Sequence, residues 1–573
     1  MLDSPTPTAN YTLPELIANA QGSTTVLFGD ATISSMGMSI GTLTYDELVA
    51  RKSPQKAISK RNPEIHTVSA ANDHHLGAFS SRFFELQKAC RETGGIFLYA
   101  NQRGCDGDRI YYEGCAMILV NGELVAQGSQ FSLQDVETIT AAVDLDDIEA
   151  YQTSEFHIVD PHNSEARQQL ELQQDLCCKQ NGFIPFRSSQ RIAPKIYNAH
   201  EEIGMGPACW LWDYLRRSNA VGFLVPLSGG IDSCSTATIV FSMCRIVVDA
   251  IRNGNAQVEA DVQRITGAQA WLPNTPQELC HRILHTVYMG VGGISSQETR
   301  CRARRLAQDI GAYHTDMNID SVYHAEKNLL GEYLGYVPRF DGGPAENLAL
   351  QNIQARIRMV TAYYFAQMLP STRGRASAGT LLVLGSVGVE ECLRGNLTKY
   401  DCSSADLSPI GSFSKMEIRQ FMQWARTEFT LPILEEFLSA TPTAELEPSR
   451  FGQCDAKDMG MTHHELCTFA KLRKEMRLGP VSMFQQLLSR WRGEKTPADI
   501  AHVVKKFHYF YGINRHKMST MTPAYHAGKT NPDNSRFDMR PLLYPGFEDS
   551  WSCKRIDGMA KDAERKLAKP AQP

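Results

Sequence analysis

Leu224-Val225-Pro226-Leu227-Ser228-Gly229-Gly230-Ile231-Asp232-Ser233 is the stretch that decides the fold. An apolar run of strand length stops at Ser228-Gly229-Gly230, and a helical pattern begins at once. Two glycines let backbone N–H groups approach an anion closely, and the helix N-terminus behind them adds positive field. A strand, a glycine-rich turn and a helix in this order make a phosphate cradle. The hydroxyls of Ser228 and Ser233 can donate to phosphate oxygens, and Asp232 can hold a divalent cation. No Gly-Lys-Ser/Thr follows, so the loop is not of the Walker type.

Outward from this loop the pattern alternates. Residues 207–217 read as a helix, 221–227 as a strand, and a further helix runs from the loop to about Arg252. Strands are expected at 283–289, 313–319 and 380–384, with helices at 296–310 and 346–368, the former carrying arginines on its exposed side. Strand–helix alternation means α/β architecture: a doubly wound parallel sheet with helices on both faces. Ligands of such sheets sit beyond the carboxyl ends of the strands, where the Ser-Gly-Gly loop falls.

The first 155 residues read as a separate strand-rich α/β domain. Buried strands are expected at 95–100 and 116–120, and Asn121-Gly122 is a hairpin signal leading into 123–126. Residues 156–200 read as a polar connector, 201–551 as the second domain, and 552–573 as a frayed polar tail. A chain of 573 residues exceeds one usual core, which agrees with two domains.

Composition excludes several classes. With 42% hydrophobic and 21% charged residues this is a globular composition, and a net charge of −5 gives no global signal for nucleic acid. No run of about 18 apolar residues predicts a membrane span, and the start lacks a basic and apolar leader. The 15 cysteines are scattered, with Cys177-Cys178 the one adjacent pair, which fits reduced thiols in a cytoplasmic protein. No cysteine or histidine cluster has zinc spacing.

More chemistry follows the loop. Leu384-Gly385-Ser386 ends a strand and Glu390-Glu391 comes next; Glu391 could meet Asp232 across one Mg²⁺, which favours one or two carboxylates plus phosphate oxygens. Then come Leu397-Thr398-Lys399-Tyr400-Asp401-Cys402-Ser403-Ser404-Ala405-Asp406, Pro409-Ile410-Gly411 and Ser414-Lys415. Asn352 and Arg356, four apart on the long helix, share a face. Near the end lie Asn514-Arg515-His516-Lys517.

Taken together, residues 201–548 resemble the synthetase domain of the eukaryotic glutamine-dependent NAD⁺ synthetase family. The resemblance rests on 206–213, the loop at 228–233, Ser295-Ser296-Gln297-Glu298-Thr299, 346–359, 397–406, 443–448 and 516–526. Residues 23–155 resemble the latter part of that family's nitrilase-type glutaminase domain through 99–109 and 126–133. The resemblance implies an adenine nucleotide alpha hydrolase-like synthetase fold of the ATP pyrophosphatase type. The activity it implies joins nicotinic acid adenine dinucleotide, ATP and ammonia into NAD⁺, AMP and pyrophosphate through an acyl-adenylate. It further implies that Ser228, Gly229, Gly230 and Ser233 hold pyrophosphate and that Asp232 and Glu391 hold Mg²⁺. Lys415, with His516 and Lys517 on a closing flap, is expected at the ATP phosphates, and Gln297 at the nucleoside. Asn352 and Arg356 are expected to position the deamido dinucleotide, with Lys399 and Asp406 near the substrate and ammonia. The family also implies a homo-oligomer.

The chain departs from the pattern in its first half. The family's glutaminase uses Glu, Lys and Cys, the Cys within Cys-Glu-Glu-Leu; here the segment is Tyr45-Asp46-Glu47-Leu48, and 49–78 diverge widely. The chain begins after the family's Glu and Lys, and a phenol is not a thiolate, so no glutamine hydrolysis in cis is expected. Ammonia is then drawn from solution or from a separate ammonia-supplying protein. In the second half Gly388 stands for the usual Asn, Glu390 for Asp, Asp455-Ala456-Lys457-Asp458 for a more acidic run, and His463 for Tyr. Two other readings stay open at this point. One is a paralogue that amidates a different carboxylic acid by the same chemistry; the other is a non-catalytic nucleotide-binding partner.

Overall fold

The computed structural model describes residues 9–29, 31–35, 38–50, 63–154, 168–172, 187–375, 379–441, 443–448, 460–532, 547 and 550–568. The chain divides into two compact units. The first comprises Met1–Asp73, Gly77–Gly104 and Tyr112–Tyr197, and the second His74–Leu76, Cys105–Tyr111 and Asn198–Pro573.

The first unit is built on a seven-stranded sheet. Its strands are β1 (Ala31–Ser35), β2 (Met38–Thr44), β3 (Ile65–Ala70), β4 (Ile96–Asn101), β5 (Met117–Val120), β6 (Glu123–Gln127) and β7 (Gln168–Leu172), in the spatial order β6-β5-β4-β3-β2-β1-β7. The inner pairs β2/β3 and β3/β4 are parallel and β5/β6 is the expected hairpin, with Asn121 at φ 50° and Gly122 at φ 84° in its turn. Strand β7 lies inside the stretch expected to be a connector and pairs parallel with β1; residues 155–167 and 173–186 of that connector lie outside the described residues. Helix α1 (Tyr45–Ala50) follows β2 directly, and α2 (Ala78–Thr93) buries Phe79, Phe83, Leu86 and Cys90 against Val68, Phe97, Met117 and Leu119.

The second unit carries a four-stranded, all-parallel sheet. Helix α3 (Ala199–Arg217) opens it with a capping box of Asn198 and Glu201. Then follow β8 (Phe223–Pro226), α4 (Ile231–Arg252), α5 (Pro276–Ile283), β9 (Leu284–Gly290), α6 (Gln297–Asp309), β10 (Tyr313–Asn318), α7 (Pro344–Thr372) and β11 (Leu382–Val383). The strand order is β10-β9-β8-β11, with Leu224 opposite both His285 and Val383. Because the chain moves outward from β8 through β9 and β10 and returns to its other side with β11, the order reverses beside β8, where a crevice opens at the carboxyl ends. Every residue of β9 is buried, as a central parallel strand demands. Leu224, Val287 and Met289 form one core with Leu350, Met359 and Ala362 of α7.

Helix α4 is long and apolar enough, by composition, to cross a membrane, although the sequence was expected to hold no such stretch. Here it is a core helix, with Ala237, Val240, Met243, Cys244 and Val247 fully buried. The C-terminal part is helical: α8 (Val389–Arg394), α9 (Lys415–Glu428), α10 (His463–Ala470), α11 (Pro480–Arg490), α12 (Pro497–Ile513) and α13 (Trp551–Ala568). The last corrects the expected frayed tail. Ile556 and Ala560 are buried in one cluster with Leu487, Val504 and Phe507, because apolar residues recur at helical spacing among the lysines and arginines.

Two short pieces of the first 155 residues belong to the second unit, which a cut along the sequence could not show. In the piece Cys105–Tyr111 the Cys105 N–H donates to Asp213 Oδ2 at 2.8 Å, and the Trp210 indole donates to the Asp108 carbonyl at 3.1 Å.

Candidate functional site

Beyond the carboxyl ends of β8, β9 and β11 lies a cavity of about 770 Å³, lined by Pro226, Val287, Met289 and Leu384 at the strand ends. That is within the size range of small-molecule sites, about 300–1,000 Å³. The loop at 227–230 forms one wall. Gly229 has φ +83°, and a Cβ there would collide with the Thr299 carbonyl of α6, so the position admits glycine alone. The turn is tied by Ser233 Oγ, which accepts from the Ser228 N–H at 3.2 Å and lies 3.0 Å from Ser228 Oγ. Gly230 caps α4 without a side-chain hydrogen bond, so its cap residue takes none of the first N–H groups of this 22-residue helix. Ser228, Gly230, Asp232 and Ser233 line the cavity; Gly229 supports the turn from behind and does not.

Asp232 and Glu391, expected to meet across Mg²⁺, converge on one side chain. Between them stands the ammonium of Lys415, which is ion-paired with Asp232 Oδ1 and lies 2.8 Å from Glu391 Oε1. Glu391 is held from its other oxygen by the Gly388 N–H at 3.0 Å. Burial pushes the Asp232 carboxyl up, against the pull of Lys415. On Glu391 burial also pushes upward, and the Lys415 charge and hydrogen bond, with a backbone hydrogen bond, together outweigh it, holding that carboxyl below its usual range. A cation already occupies the place where two half-buried carboxylates meet, and the donor set fits Mg²⁺. Lys415, expected at phosphates, does not line the cavity: it is 7% exposed and sits behind the two acids. The ion pair outcompetes solvent because α9 starts at Lys415, fixed by the Ser414–Glu417 capping box and by its own N–H on Glu390 Oε1 at 3.0 Å. Glu390 is fully buried, and burial with the neighbouring Glu391 charge pushes it up to about 8.

On α7, Asn352 and Arg356 both face this cavity. Asn352 Oδ1 accepts from Thr398 Oγ1 at 2.6 Å and Arg356 Nε donates to the Lys399 carbonyl at 2.9 Å, so the helix also anchors the 397–400 segment. Lys399, His516 and Lys517 line the same space. Lys517 donates to the Gly395 and Leu397 carbonyls at 2.7 and 2.8 Å, and burial lowers its pKa. The expected flap is therefore pinned at its base, with Arg515 also bonded to the carbonyls of Cys392 and Leu393.

Two expected residues are placed elsewhere. Gln297 is exposed at the start of α6 and, among the described residues, reaches only Cys301 Sγ, at 3.5 Å. Asp406 accepts from Tyr363 Oη and the Val383 N–H, both at 2.8 Å, and fixes the end of β11 instead of lining the cavity. In both cases segment resemblance located the neighbourhood but not the direction of the side chain.

Other lining residues were not singled out by the sequence. Arg302 donates to the Gly229 carbonyl at 3.3 Å, and Arg358 donates to the Met289 carbonyl at 3.1 Å. Burial pushes the Arg358 guanidinium down, so it favours an anionic ligand. Glu445 accepts from the Ser296 N–H at 3.1 Å and from Thr299 Oγ1 at 2.9 Å, closing the side of the cavity. The signal was available for Arg358, two residues after Arg356, but an i+2 step on a helix does not argue for a shared face. Residues 455–458 lie outside the described residues.

In the first unit, Tyr45 opens α1 at the end of β2, half-buried with its ring 6.1 Å from that of Tyr99. Burial raises the pKa of the phenol, against the charge of Arg82. Cys90 and Cys115 are buried thiols pushed up to about 12 and about 11.

Comparison with known proteins places both units. Residues 207–487 match the family model described as NAD synthase, and 18–153 match that of carbon-nitrogen hydrolase. The chain is 47% identical over 565 residues to the glutamine-dependent NAD(+) synthetase of Saccharomyces cerevisiae, covering 97% of this chain and 79% of that protein. It is 46% identical over 569 residues to the protein of that name from Homo sapiens, with the same two coverages, 97% and 79%. The crystal structure of a glutamine-dependent NAD(+) synthetase from Cytophaga hutchinsonii shares the fold at a TM-score of 0.70 and 19% identity, over 96% of this chain and 77% of that one.

Proposed function

Because the chain belongs to the glutamine-dependent NAD(+) synthetase family, we propose that it amidates nicotinic acid adenine dinucleotide to NAD⁺ at the expense of ATP, using ammonia it does not itself generate. The observation that carries this reading is the convergence of the 228–233 loop, the Asp232–Glu391 pair, Asn352 and Arg356 on one cavity.

The chemistry follows from what a carboxylate lacks. It is a poor acyl donor, so one of its oxygens first attacks the α-phosphorus of ATP and the bond to the β-phosphate oxygen breaks, releasing pyrophosphate. Negative charge grows on the departing oxygens. The N–H groups at the start of α4, with the hydroxyls of Ser228 and Ser233, stabilise it without reorganising, and Arg302 stands beside the turn. Asp232 and Glu391 would hold Mg²⁺, whose charge neutralises phosphate oxygens. For that, Lys415 would release at least one of its two carboxylates, freeing an ammonium next to the phosphates. Asn352, Arg356 and Lys399 hold the acid end of the dinucleotide, and Arg358 supplies a desolvated positive charge. Ammonia then attacks the acyl carbon, loses a proton, and AMP leaves; the cavity walls keep the nucleophile from being protonated by solvent.

That the ammonia comes from outside rests on Tyr45. A half-buried phenol with a raised pKa is neutral at pH 7, so it is no nucleophile for a glutamyl intermediate. The test is direct. Purified protein with the deamido dinucleotide, ATP, Mg²⁺ and ammonium forms NAD⁺, and replacing ammonium with glutamine gives almost none. Ready use of glutamine would defeat the reading of the first unit. Pyrophosphate exchange into ATP with another carboxylic acid but not with the deamido dinucleotide would defeat the choice of substrate.

A further inference from the structure

At the opposite, amino-terminal edge of the same sheet three guanidinium groups gather with no carboxylate paired to them among the described residues. Arg373, which caps the end of α7, donates from Nη1 to His285 Nε2 at 2.8 Å and lies 4.0 Å from the ring centre of Tyr313. Arg375 donates from Nη1 to the Val221 carbonyl at 2.6 Å, and its Nη2 is buried with no partner among the described residues. Arg282, in the last turn of α5, stacks 4.1 Å from the ring centre of Trp271. His285 and Tyr313 stand at the starts of β9 and β10. None of the three arginines has an ion pair among the described residues. Arg216, Arg300, Arg304 and Arg305 of the same unit all have one.

The structural explanation for such a cluster is that cations cap helix ends. Two helices, α5 and α7, do end here, and each end carries roughly half a negative elementary charge. They offset about one of the three positive charges. The remainder is sensed within the cluster: burial and mutual repulsion push Arg375 down to about 10, and burial with the charges of Arg373 and Arg375 pushes His285 down to about 3. A net charge of about two, in planar forks only partly reached by water, matches a doubly charged oxyanion bound bidentately.

We propose that Arg282, Arg373 and Arg375 form a second anion site, selective for a phosphate group and separate from the cavity at the carboxyl edge. The buried Arg375 Nη2 supplies one donor, Arg373 the second fork, and Arg282 closes over the anion by leaving Trp271.

Trp271 makes the site readable. Its emission, isolated by subtracting the response of a Trp271→Phe variant, is followed as inorganic phosphate or AMP is added to the full-length protein at constant ionic strength. Saturable change with phosphate is expected, at least tenfold weaker in affinity for Arg375→Gln; for Arg282→Gln, which has no stacked guanidinium to report, phosphate binding is read by equilibrium dialysis and is likewise at least tenfold weaker than in the wild type. The Arg282 variant loses only a stacking contact and serves if Arg375→Gln fails to fold. If AMP saturates the signal and phosphate does not, the phosphate is read as part of a nucleotide; the reverse order makes it a free ion. No saturable response with either ligand, or equal affinity in a folded Arg282→Gln variant, overturns the proposal. Because the readout is not turnover, failure here leaves the assignment of the cavity untouched, and failure of NAD⁺ synthesis leaves this site untouched.

Discussion

Both units run a parallel strand into a helix, and the two junctions end in opposite uses. In the first, β2 meets α1 with no loop between. The Thr44 N–H and hydroxyl both donate to Glu47 Oε2, at 2.8 and 2.9 Å, and the Glu47 N–H returns to Thr44 Oγ1 at 3.3 Å. In the second, the turn at 227–230 separates β8 from α4, and Gly230 brings no side chain to the helix end. Every helix start has orphan N–H groups. Where a carboxylate of the chain closes the junction it is structural, and where a glycine loop brings no capping side chain the helix start is available to a ligand's oxygen atoms.

The contrast breaks first at Asp232. Asp232→Asn keeps the shape and removes one of the two charges around Lys415. ATP–pyrophosphate exchange should fall by about 10³-fold or more, in line with loss of a principal charge-stabilising group. Circular dichroism should be unchanged. Exchange retained within tenfold would show that the second junction does not carry the chemistry.

The next test probes whether the first unit hides a nucleophile elsewhere. With Cys90 and Cys115 pushed up to about 12 and about 11, the thiolate fraction at pH 8 is below roughly one part in 10³, against about a quarter for a free thiol of ordinary pKa. Iodoacetamide labelling read by mass spectrometry should therefore be over 100-fold slower at both than at a model thiol, and should accelerate as pH rises. Fast labelling of either at pH 8 would reopen the first unit to covalent catalysis.

Lys415→Met takes away the positive charge while leaving its stem. Two half-buried acids then face each other, at a cost of up to about 3 kcal/mol, the lower end of the scale for stripping one partner from a fully buried ion pair. The melting temperature should drop in chelator and recover with Mg²⁺, more than the wild type gains from the same addition. Equal gains would mean that the two carboxylates are not the metal site.

How much of this was legible in the sequence depends on the range of each signal. The loop, both faces of the parallel sheet and the i, i+4 pair Asn352 and Arg356 follow from local spacing, which backbone periodicity preserves. Lys415 could not be placed that way, since a motif gives no hint that its ammonium turns inward to Asp232, 183 positions earlier in the chain (415 − 232). Gln297 and Asp406 lie outside the cavity lining for the same reason: neighbourhood came from the segment, direction from packing. Helix α13 was misread because its lysines dominate the composition, whereas Ile556 and Ala560 decide its burial.

The smallest effect is expected where the two junctions differ most in residue type. Tyr45 packs against Tyr99, and the hydrogen bonds that close the junction come from Thr44 and Glu47, not from the phenol. Tyr45→Phe keeps the ring and its burial and deletes only the hydroxyl. Ammonia-dependent NAD⁺ formation should stay within about twofold of wild type, and stability within about 1 kcal/mol, the scale of one hydrogen bond. A large fall in turnover with an unchanged melting temperature would give the phenol a part in the reaction. The first junction would then be a second chemical site in place of a closed helix cap, and the contrast between the units would fail at the residue on which it most depends.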